Sequence, residues 1–166
     1  QIKSTDFSGI DAILSVSPAY NKPTQEGIYQ HFKAISEACP TNIILYNVPG
    51  RTSSNMSANT TLSLANDFDN IIAIKEASGD MEQIMQILGD KPDNFKVLSG
   101  DDALTLPMIF MGAEGVISVQ AMAQPKEFSE MVRQGLIGNI EKARALHYPQ
   151  LEVIDHLFAE GNPAGV

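Results

Sequence analysis

The stretch Ile71-Ile72-Ala73-Ile74-Lys75-Glu76-Ala77-Ser78-Gly79 places a lysine directly after a run of apolar residues. Such a run, rich in β-branched side chains, is typical of a strand buried on both faces, as in a parallel sheet. An ammonium group that loses hydration gives up its proton more readily, and a neutral amine condenses with carbonyls. Lys75 is therefore a candidate for Schiff-base chemistry. The alternative is a lysine whose stem packs on apolar neighbours while its head reaches water.

Apolar runs on both sides of this stretch alternate with amphipathic segments. Four of them predict further strands: Ala12–Val16, Asn42–Asn47, Phe95–Ser99 and Gly115–Val119. Thr24, Ser57 and Asp80 stand where they can cap the helices that follow. A strand followed by a helix at intervals of roughly 20 to 30 residues is the pattern of βαβ units, so the predicted class is α/β with a parallel sheet.

Two architectures fit this pattern. An open doubly wound sheet can be completed by 166 residues, whereas a (β/α)8 barrel typically needs about 250. Length favours the open sheet, but no glycine-rich nucleotide motif follows the first strand. The charge balance of 11 Lys and Arg against 20 Asp and Glu argues against nucleic acid or an anionic membrane as the main partner. Without a run of about 18 apolar residues, we expect a cytoplasmic location.

Polar side chains of chemical interest follow the predicted strands. Tyr20 follows the first strand, Tyr46 and Arg51 lie at and after the end of the second, and Gly100-Asp101-Asp102 follows the fourth. The carboxyl ends of parallel strands share one face, where α/β proteins build their active sites. Imine formation needs a neutral amine, a proton shuttle and a cation for a keto-acid carboxylate, and lysine, tyrosine and arginine supply these.

Each of these residues also has a purely structural interpretation. Tyr46 could be a core aromatic, Arg51 a surface charge, and Tyr20 a contact with a partner subunit. The adjacent aspartates, Asp101 and Asp102, fit helix capping better than metal binding. The three histidines have neither metal-ligand spacing nor a serine or cysteine nucleophile motif nearby, so no metal site is predicted.

Four strings in matching order and spacing resemble the dihydrodipicolinate synthase family: Tyr46–Thr52, Ile74–Gly79, Leu98–Asp102 and Gly115–Val119. The family belongs to the pyruvate-dependent class I aldolases, together with the N-acetylneuraminate lyases. The arginine after Tyr-Asn-Val-Pro-Gly favours the synthases over the lyases. The resemblance implies a (β/α)8 TIM barrel of which this chain holds strands four to eight. We therefore predict a fragment, with a partial barrel over residues 1–138 and the start of a C-terminal helical region over 139–166.

The resemblance also implies residue roles. Lys75 would form a Schiff base with pyruvate, Tyr46 would relay protons, and Tyr20 would complete the relay from a neighbouring subunit. Arg51 would hold the carboxylate of the second substrate, L-aspartate 4-semialdehyde. The implied reaction is that of a lyase, and its product, 4-hydroxy-tetrahydrodipicolinate, lies on the route to diaminopimelate and lysine.

Further expectations follow from the same resemblance. The backbone at Gly100 and Ile117 would line the pyruvate site, and neither a metal nor an organic cofactor would be needed. An intact enzyme would be a homo-oligomer, either a dimer or a tetramer. Ala19 stands where the family has a tyrosine of its lysine inhibitor site, so feedback inhibition by lysine is left open. Two alternatives also stay open: a lyase-type pyruvate aldolase, and an inactive half-barrel that acts as a folding or assembly module.

Overall fold

The computed structural model describes residues 2–166, and the chain divides into two compact units. One unit ends at Val97, and the other runs from Leu98 to Val166. The first contains strands β1 (Ala12–Val16), β2 (Asn42–Asn47) and β3 (Ile71–Glu76) and helices α1 (Gln25–Ala38), α2 (Pro49–Thr52), α3 (Ala58–Asp67) and α4 (Met81–Asp90). The strand β4 (Lys96–Ser99) crosses the division. The second contains β5 (Gly115–Val116), α5 (Thr105–Phe110), α6 (Pro125–Leu136) and α7 (Ile140–Phe158).

In the first unit, the strands pair in parallel in the order β1-β2-β3. Every second residue of β2 is buried and the residues between them are partly exposed, so the two faces of the strand differ. The predicted capping residues are confirmed, because Thr24, Ser57 and Asp80 each accept a hydrogen bond from a backbone N–H of the following helix. The buried core combines apolar residues of strands and helices: Ile28, Phe32, Ile43, Leu45, Leu64, Ile71, Ile74, Ile84 and Ile87.

The pairing of β2 with β3 contains a register shift. Ile43 pairs with Ile71, but the next residue, Ile44, pairs with Ala73, so Ile72 is left without a partner in this ladder. An extra residue of this kind is a β-bulge, which reorients the side chains beyond it. As a result, Tyr46 pairs with Lys75.

In the second unit, the C-terminal residues of β4 pair in parallel with β5. The core is formed by α5, α6 and α7, with the buried cluster Leu106, Phe128, Met131 and Ala143. The fifth strand is shorter than predicted and ends at Val116, because the backbone N–H groups of Val119 and Gln120 bond to the carboxylate of Asp102 instead of a strand. A 3-10 helix follows at Gln120–Met122.

A proline inside a helix usually bends or breaks it, but α7 continues without a break through Pro149, from Ile140 to Phe158. A proline removes one N–H from the helix, and the loss is tolerated where packing holds the rest of the helix. Residues on both sides of Pro149 are buried, including Ala143 and Ile154. The α/β class is thus confirmed, whereas the boundary predicted after residue 138 stays a prediction.

Candidate active site

Lys75 and Tyr46 lie side by side at the carboxyl ends of two adjacent strands. The Lys75 Nζ atom is 4.2 Å from the centre of the Tyr46 ring. Both side chains are partly exposed and project from the same face of the sheet, since the two residues are partners across β2 and β3. An ammonium above an aromatic face is attracted by the ring quadrupole. The amine is therefore held beside a phenol and remains accessible to a small molecule.

The next pair along these strands, Asn47 and Glu76, is fully buried on the opposite face. Three N–H groups donate to the Glu76 carboxylate. Asn47 Nδ2 lies 3.0 Å from Oε2 and 3.2 Å from Oε1, the Ser78 backbone N lies 2.7 Å from Oε1, and Gln83 Nε2 lies 3.2 Å from Oε2. Burial raises the pKa of Glu76, and the hydrogen bonds from Asn47, Ser78 and Gln83 offset part of that rise.

Arg51 lies on α2, the short helix that directly follows β2. Its side chain is exposed. Pro49 starts the helix, and Ser53 ends it in a left-handed conformation with φ of 54°. The chain after the helix becomes buried again at Met56, whose backbone N–H donates to Asn47 Oδ1 at 3.0 Å. Asn47, the residue next to Tyr46, thus bonds to the segment that follows the helix carrying Arg51.

Tyr20 occupies the loop between β1 and α1, and 96% of its surface is exposed. Within residues 2–166 its ring makes no hydrogen bond and no contact with another ring. The structure therefore does not join Tyr20 to the pair formed by Lys75 and Tyr46. A nearly fully exposed tyrosine is what the predicted role in a neighbouring subunit requires, and that role stays a prediction.

Gly100 and Ile117 belong to the second unit. Gly100 lies in a tight loop, because the Ser99 hydroxyl donates to the Asp101 carbonyl at 2.8 Å and accepts from the Asp101 N–H. The Ile117 N–H donates to the Ser99 carbonyl at 2.9 Å, just past the end of β5. Both backbones are thus fixed at the carboxyl ends of β4 and β5, and their part in substrate binding stays a prediction.

The aspartates after β4 have two different structural roles. Asp101 Oδ1 accepts a hydrogen bond from the backbone N–H of Leu104, which helps to start α5. Asp102 is buried, and its Oδ2 accepts from the N–H groups of Val119 and Gln120. No three His, Cys, Asp or Glu side chains among residues 2–166 are arranged to hold a metal ion. Over the same residues, none of the helices combines the length and apolarity needed to cross a membrane.

Sequence reasoning missed the buried Asn47 and Glu76 and the partly buried Gln83 that bonds to them. One signal was available for Glu76. Successive residues of a strand point to opposite faces, so the residue after a functional lysine in a doubly buried strand must enter the opposite layer. A glutamate at that position requires hydrogen-bond donors nearby. No comparable signal identifies Gln83, which lies on a helix seven residues later.

Comparison with known proteins shows extensive similarity along the chain. The sequence model of the dihydrodipicolinate synthetase family matches residues 2–166. The 4-hydroxy-tetrahydrodipicolinate synthase of Flavobacterium psychrophilum is 58% identical over 166 residues, which are 100% of this chain and 57% of that protein. The synthase of Parabacteroides distasonis is 56% identical over 165 residues, or 99% of this chain and 56% of that protein. The chain therefore spans about half the length of the curated relatives it matches.

Solved structures give the same result. The dihydrodipicolinate synthase of Aquifex aeolicus superposes with a TM-score of 0.91 at 44% identity, covering 93% of this chain and 53% of that one. A chloride-inhibited dihydrodipicolinate synthase from Acinetobacter baumannii, crystallised with pyruvate, superposes with a TM-score of 0.90 at 41% identity, covering 95% and 54%. These likenesses confirm the predicted fold family, a (β/α)8 barrel of which the chain holds a part.

Proposed function

The chain belongs to the dihydrodipicolinate synthetase family, and we therefore propose that Lys75 forms a Schiff base with pyruvate. The observation that carries the proposal is the placement of Lys75 Nζ 4.2 Å from the centre of the Tyr46 ring, at the carboxyl ends of adjacent parallel strands. Active sites of this class of fold lie at that end of the strands. The pyruvate complex of the Acinetobacter relative also supports the choice of substrate.

In the proposed first step, the neutral Lys75 amine attacks the keto carbon of pyruvate. The resulting carbinolamine loses water, and the products are one imine and one water molecule. Tyr46 is assigned to shuttle the protons of these two steps, since its ring lies beside the Lys75 amine and its phenol is a donor as well as an acceptor. Loss of a methyl proton from the imine then yields an enamine, which is a carbon nucleophile.

In the proposed second step, the enamine carbon attacks the aldehyde of L-aspartate 4-semialdehyde and forms a carbon–carbon bond. The amino group of that substrate then displaces Lys75 from the imine, which closes the ring of 4-hydroxy-tetrahydrodipicolinate and restores the amine. Arg51 is assigned to the carboxylate of the semialdehyde, because a guanidinium binds a carboxylate through two parallel hydrogen bonds. Its exposed position on α2 suits a group that meets an incoming substrate.

Tyr20 is assigned to the proton relay of a second copy of the chain. Its exposure agrees with this assignment, as does its place in the loop that follows β1. The complete reaction thus needs an assembly of at least two copies. The backbones of Gly100 and Ile117 are assigned to the lining of the pyruvate site. The proposed chemistry uses neither a metal nor an organic cofactor, because the imine itself withdraws electrons.

Reduction with borohydride in the presence of pyruvate tests the proposal directly. We expect a stable pyruvate adduct by intact mass, located on Lys75 by peptide mapping. The Lys75→Arg variant should give no adduct, whereas the control Lys126→Arg, which changes an exposed lysine of α6, should react like the unmodified chain. An adduct on another lysine, or none at all, would contradict the enzymatic function and favour an inactive half-barrel.

A further inference from the structure

The Glu76 carboxylate is a fully buried titratable group that the proposed reaction does not use. Its polar contacts within residues 2–166 are all hydrogen bonds that it accepts. Asn47 Nδ2, Ser78 N and Gln83 Nε2 donate to it, and no cationic side chain among residues 2–166 pairs with it. A buried charged group is expensive unless hydrogen bonds compensate it. Its presence directly after Lys75 therefore requires an explanation.

The location of this carboxylate links it to the reactive pair. Asn47 and Glu76 are partners across β2 and β3, one residue beyond the partners Tyr46 and Lys75. The register at this point differs by one residue from the register at Ile43. If β3 slipped by one residue against β2, Lys75 would point to the opposite face of the sheet. A bulged pair of strands has such a second register within reach. The hydrogen bond between Asn47 and Glu76 requires that these two residues pair, and it therefore fits only the register in which Tyr46 pairs with Lys75.

The same bonds reach beyond the two strands. Asn47 Nδ2 also lies 2.8 Å from Asn55 Oδ1, and Asn55 Nδ2 donates to Gln83 Oε1 at 2.8 Å. Gln83 Nε2 donates to the Met56 carbonyl at 3.2 Å. The network thus connects the ends of β2 and β3 with the segment after α2 and with α4. Each Glu76 hydrogen bond within residues 2–166 comes from a donor, so a glutamine in its place would set its own NH2 group against another donor.

We propose that Glu76 is a positioning residue, whose hydrogen bonds with Asn47, Ser78 and Gln83 hold the Lys75 amine above the Tyr46 ring. The proposal rests on the proposed Schiff-base function as far as catalysis is concerned. Its geometric part is independent of that function. A displacement of the amine by about 1 Å is enough to slow a reaction roughly 100-fold, so a network on the opposite face of the sheet controls the reactivity of Lys75.

The experiment compares Glu76→Gln with Glu82→Gln, which removes the same charge from an exposed site on α4. The first readout is the NMR shift of the Lys75 Hε protons without pyruvate, because protons above an aromatic ring are shielded. We expect Glu76→Gln to lose most of this shielding and Glu82→Gln to keep it. The second readout is the rate of borohydride-trapped adduct formation, expected to fall roughly 10- to 100-fold in Glu76→Gln only.

The variant Ile84→Val distinguishes a general loss of stability from a specific loss of Lys75 positioning. It weakens the packing of α4 but changes no residue of the hydrogen-bond network. This variant should keep the Lys75 shielding in its folded fraction. If Glu76→Gln does not fold, Gln83→Met, which removes one donor to the carboxylate, is measured by the same two readouts and should show the same changes in reduced size.

The proposal is overturned if shielding and trapping rate in the network variants equal those of Glu82→Gln. If the unmodified chain forms no adduct at Lys75, the Schiff-base function fails, and the shielding comparison alone decides whether Glu76 positions the amine.

Discussion

The two units of the chain both bury polar side chains, but they satisfy them differently. In the first unit, the Glu76 carboxylate receives hydrogen bonds from three N–H groups, and its partner Asn47 is bonded through both its nitrogen and its oxygen. In the second unit, four buried polar atoms lack a hydrogen-bond partner within residues 2–166: Asp102 Oδ1, Gln120 Oε1, His147 Nδ1 and Gln150 Oε1. Among the described residues of the first unit, the buried side-chain atoms without a partner are two hydroxyls, those of Ser17 and Thr61.

The two units therefore differ in how far they rely on hydrogen bonds between buried side chains. A buried polar group without a partner costs about 1 to 3 kcal/mol, so a satisfied network is more rigid and more sensitive to substitution. The first unit carries the side chains of the proposed chemistry, Lys75, Tyr46 and Arg51, on such a network. The second unit is expected to supply backbone groups at Gly100 and Ile117, and its core of α5, α6 and α7 relies on apolar packing.

The largest effect is expected for Asn47→Leu, which removes the central amide of the network. The Glu76 carboxylate would lose the two hydrogen bonds that Asn47 donates and the Met56 N–H would lose its acceptor, so the free energy of unfolding should fall by about 3 kcal/mol. In the second unit, Gln120→Leu removes an amide whose oxygen is already unpartnered, and the expected loss is below about 1 kcal/mol. Urea denaturation measures both.

The control for this comparison is Asn66→Leu on α3, where an exposed amide donates to the Leu62 carbonyl. Its cost should stay within about 0.5 kcal/mol. Equal losses in Asn47→Leu and Gln120→Leu would show that the two units do not differ in the way described.

The next effect concerns pH and the second unit. Burial lowers the pKa of His147, whose Nδ1 has no partner in the described chain. The unfolded chain therefore binds a proton before the folded one does, and stability is lost as the pH falls below about 6.5 through the folded pKa. The protection factors of the α6 and α7 amides, which compare each exchange rate with the intrinsic rate at the same pH, should fall over this range, and His147→Leu should reduce the fall.

His156→Leu, at an exposed position of the same helix, serves as the control and should leave the pH response unchanged. Burial lowers the pKa of His31 in the first unit too, so exchange must be followed by residue rather than by whole-chain melting. A pH response in α6 and α7 that survives His147→Leu would assign it to another group.

The smallest effects are expected at two glycines with open space around the position of a Cβ atom. Gly138, between α6 and α7, has φ of +75°, and an alanine there should cost about 1 kcal/mol of backbone strain. Gly89 lies within α4 and does not have a positive φ. Because alanine loses less backbone entropy than glycine in a helix, Gly89→Ala should stabilise the chain by roughly 0.5 to 1 kcal/mol. Urea midpoints with unchanged slopes would check both signs, and a destabilising Gly89→Ala would reveal a contact in the first unit that the structure does not show.

Much of the fold is predictable from local patterns. The apolar runs predicted all five strands, and the residues before the helices predicted three caps, because both depend on interactions within a few residues. The end of β5 was not predictable, since it depends on Asp102, which lies 17 and 18 residues before the N–H groups that it binds. The continuity of α7 through Pro149 is not predictable from local sequence either, because tertiary packing outweighs the local helix-breaking tendency.

The family, the α/β class and the identity of the lysine proposed to react can be predicted from the chain alone, because they depend on residue types and their spacing. Which side chains meet depends on tertiary contacts. Continuing the register from Ile43 and Ile71 without a shift would pair Asn47 with Lys75, and the bulge at Ile72 pairs Tyr46 with Lys75 instead. That choice rests on the bonds of Asn47 and Glu76 with Ser78, Met56 and Gln83. These contacts join three segments of the chain, and no local pattern specifies them.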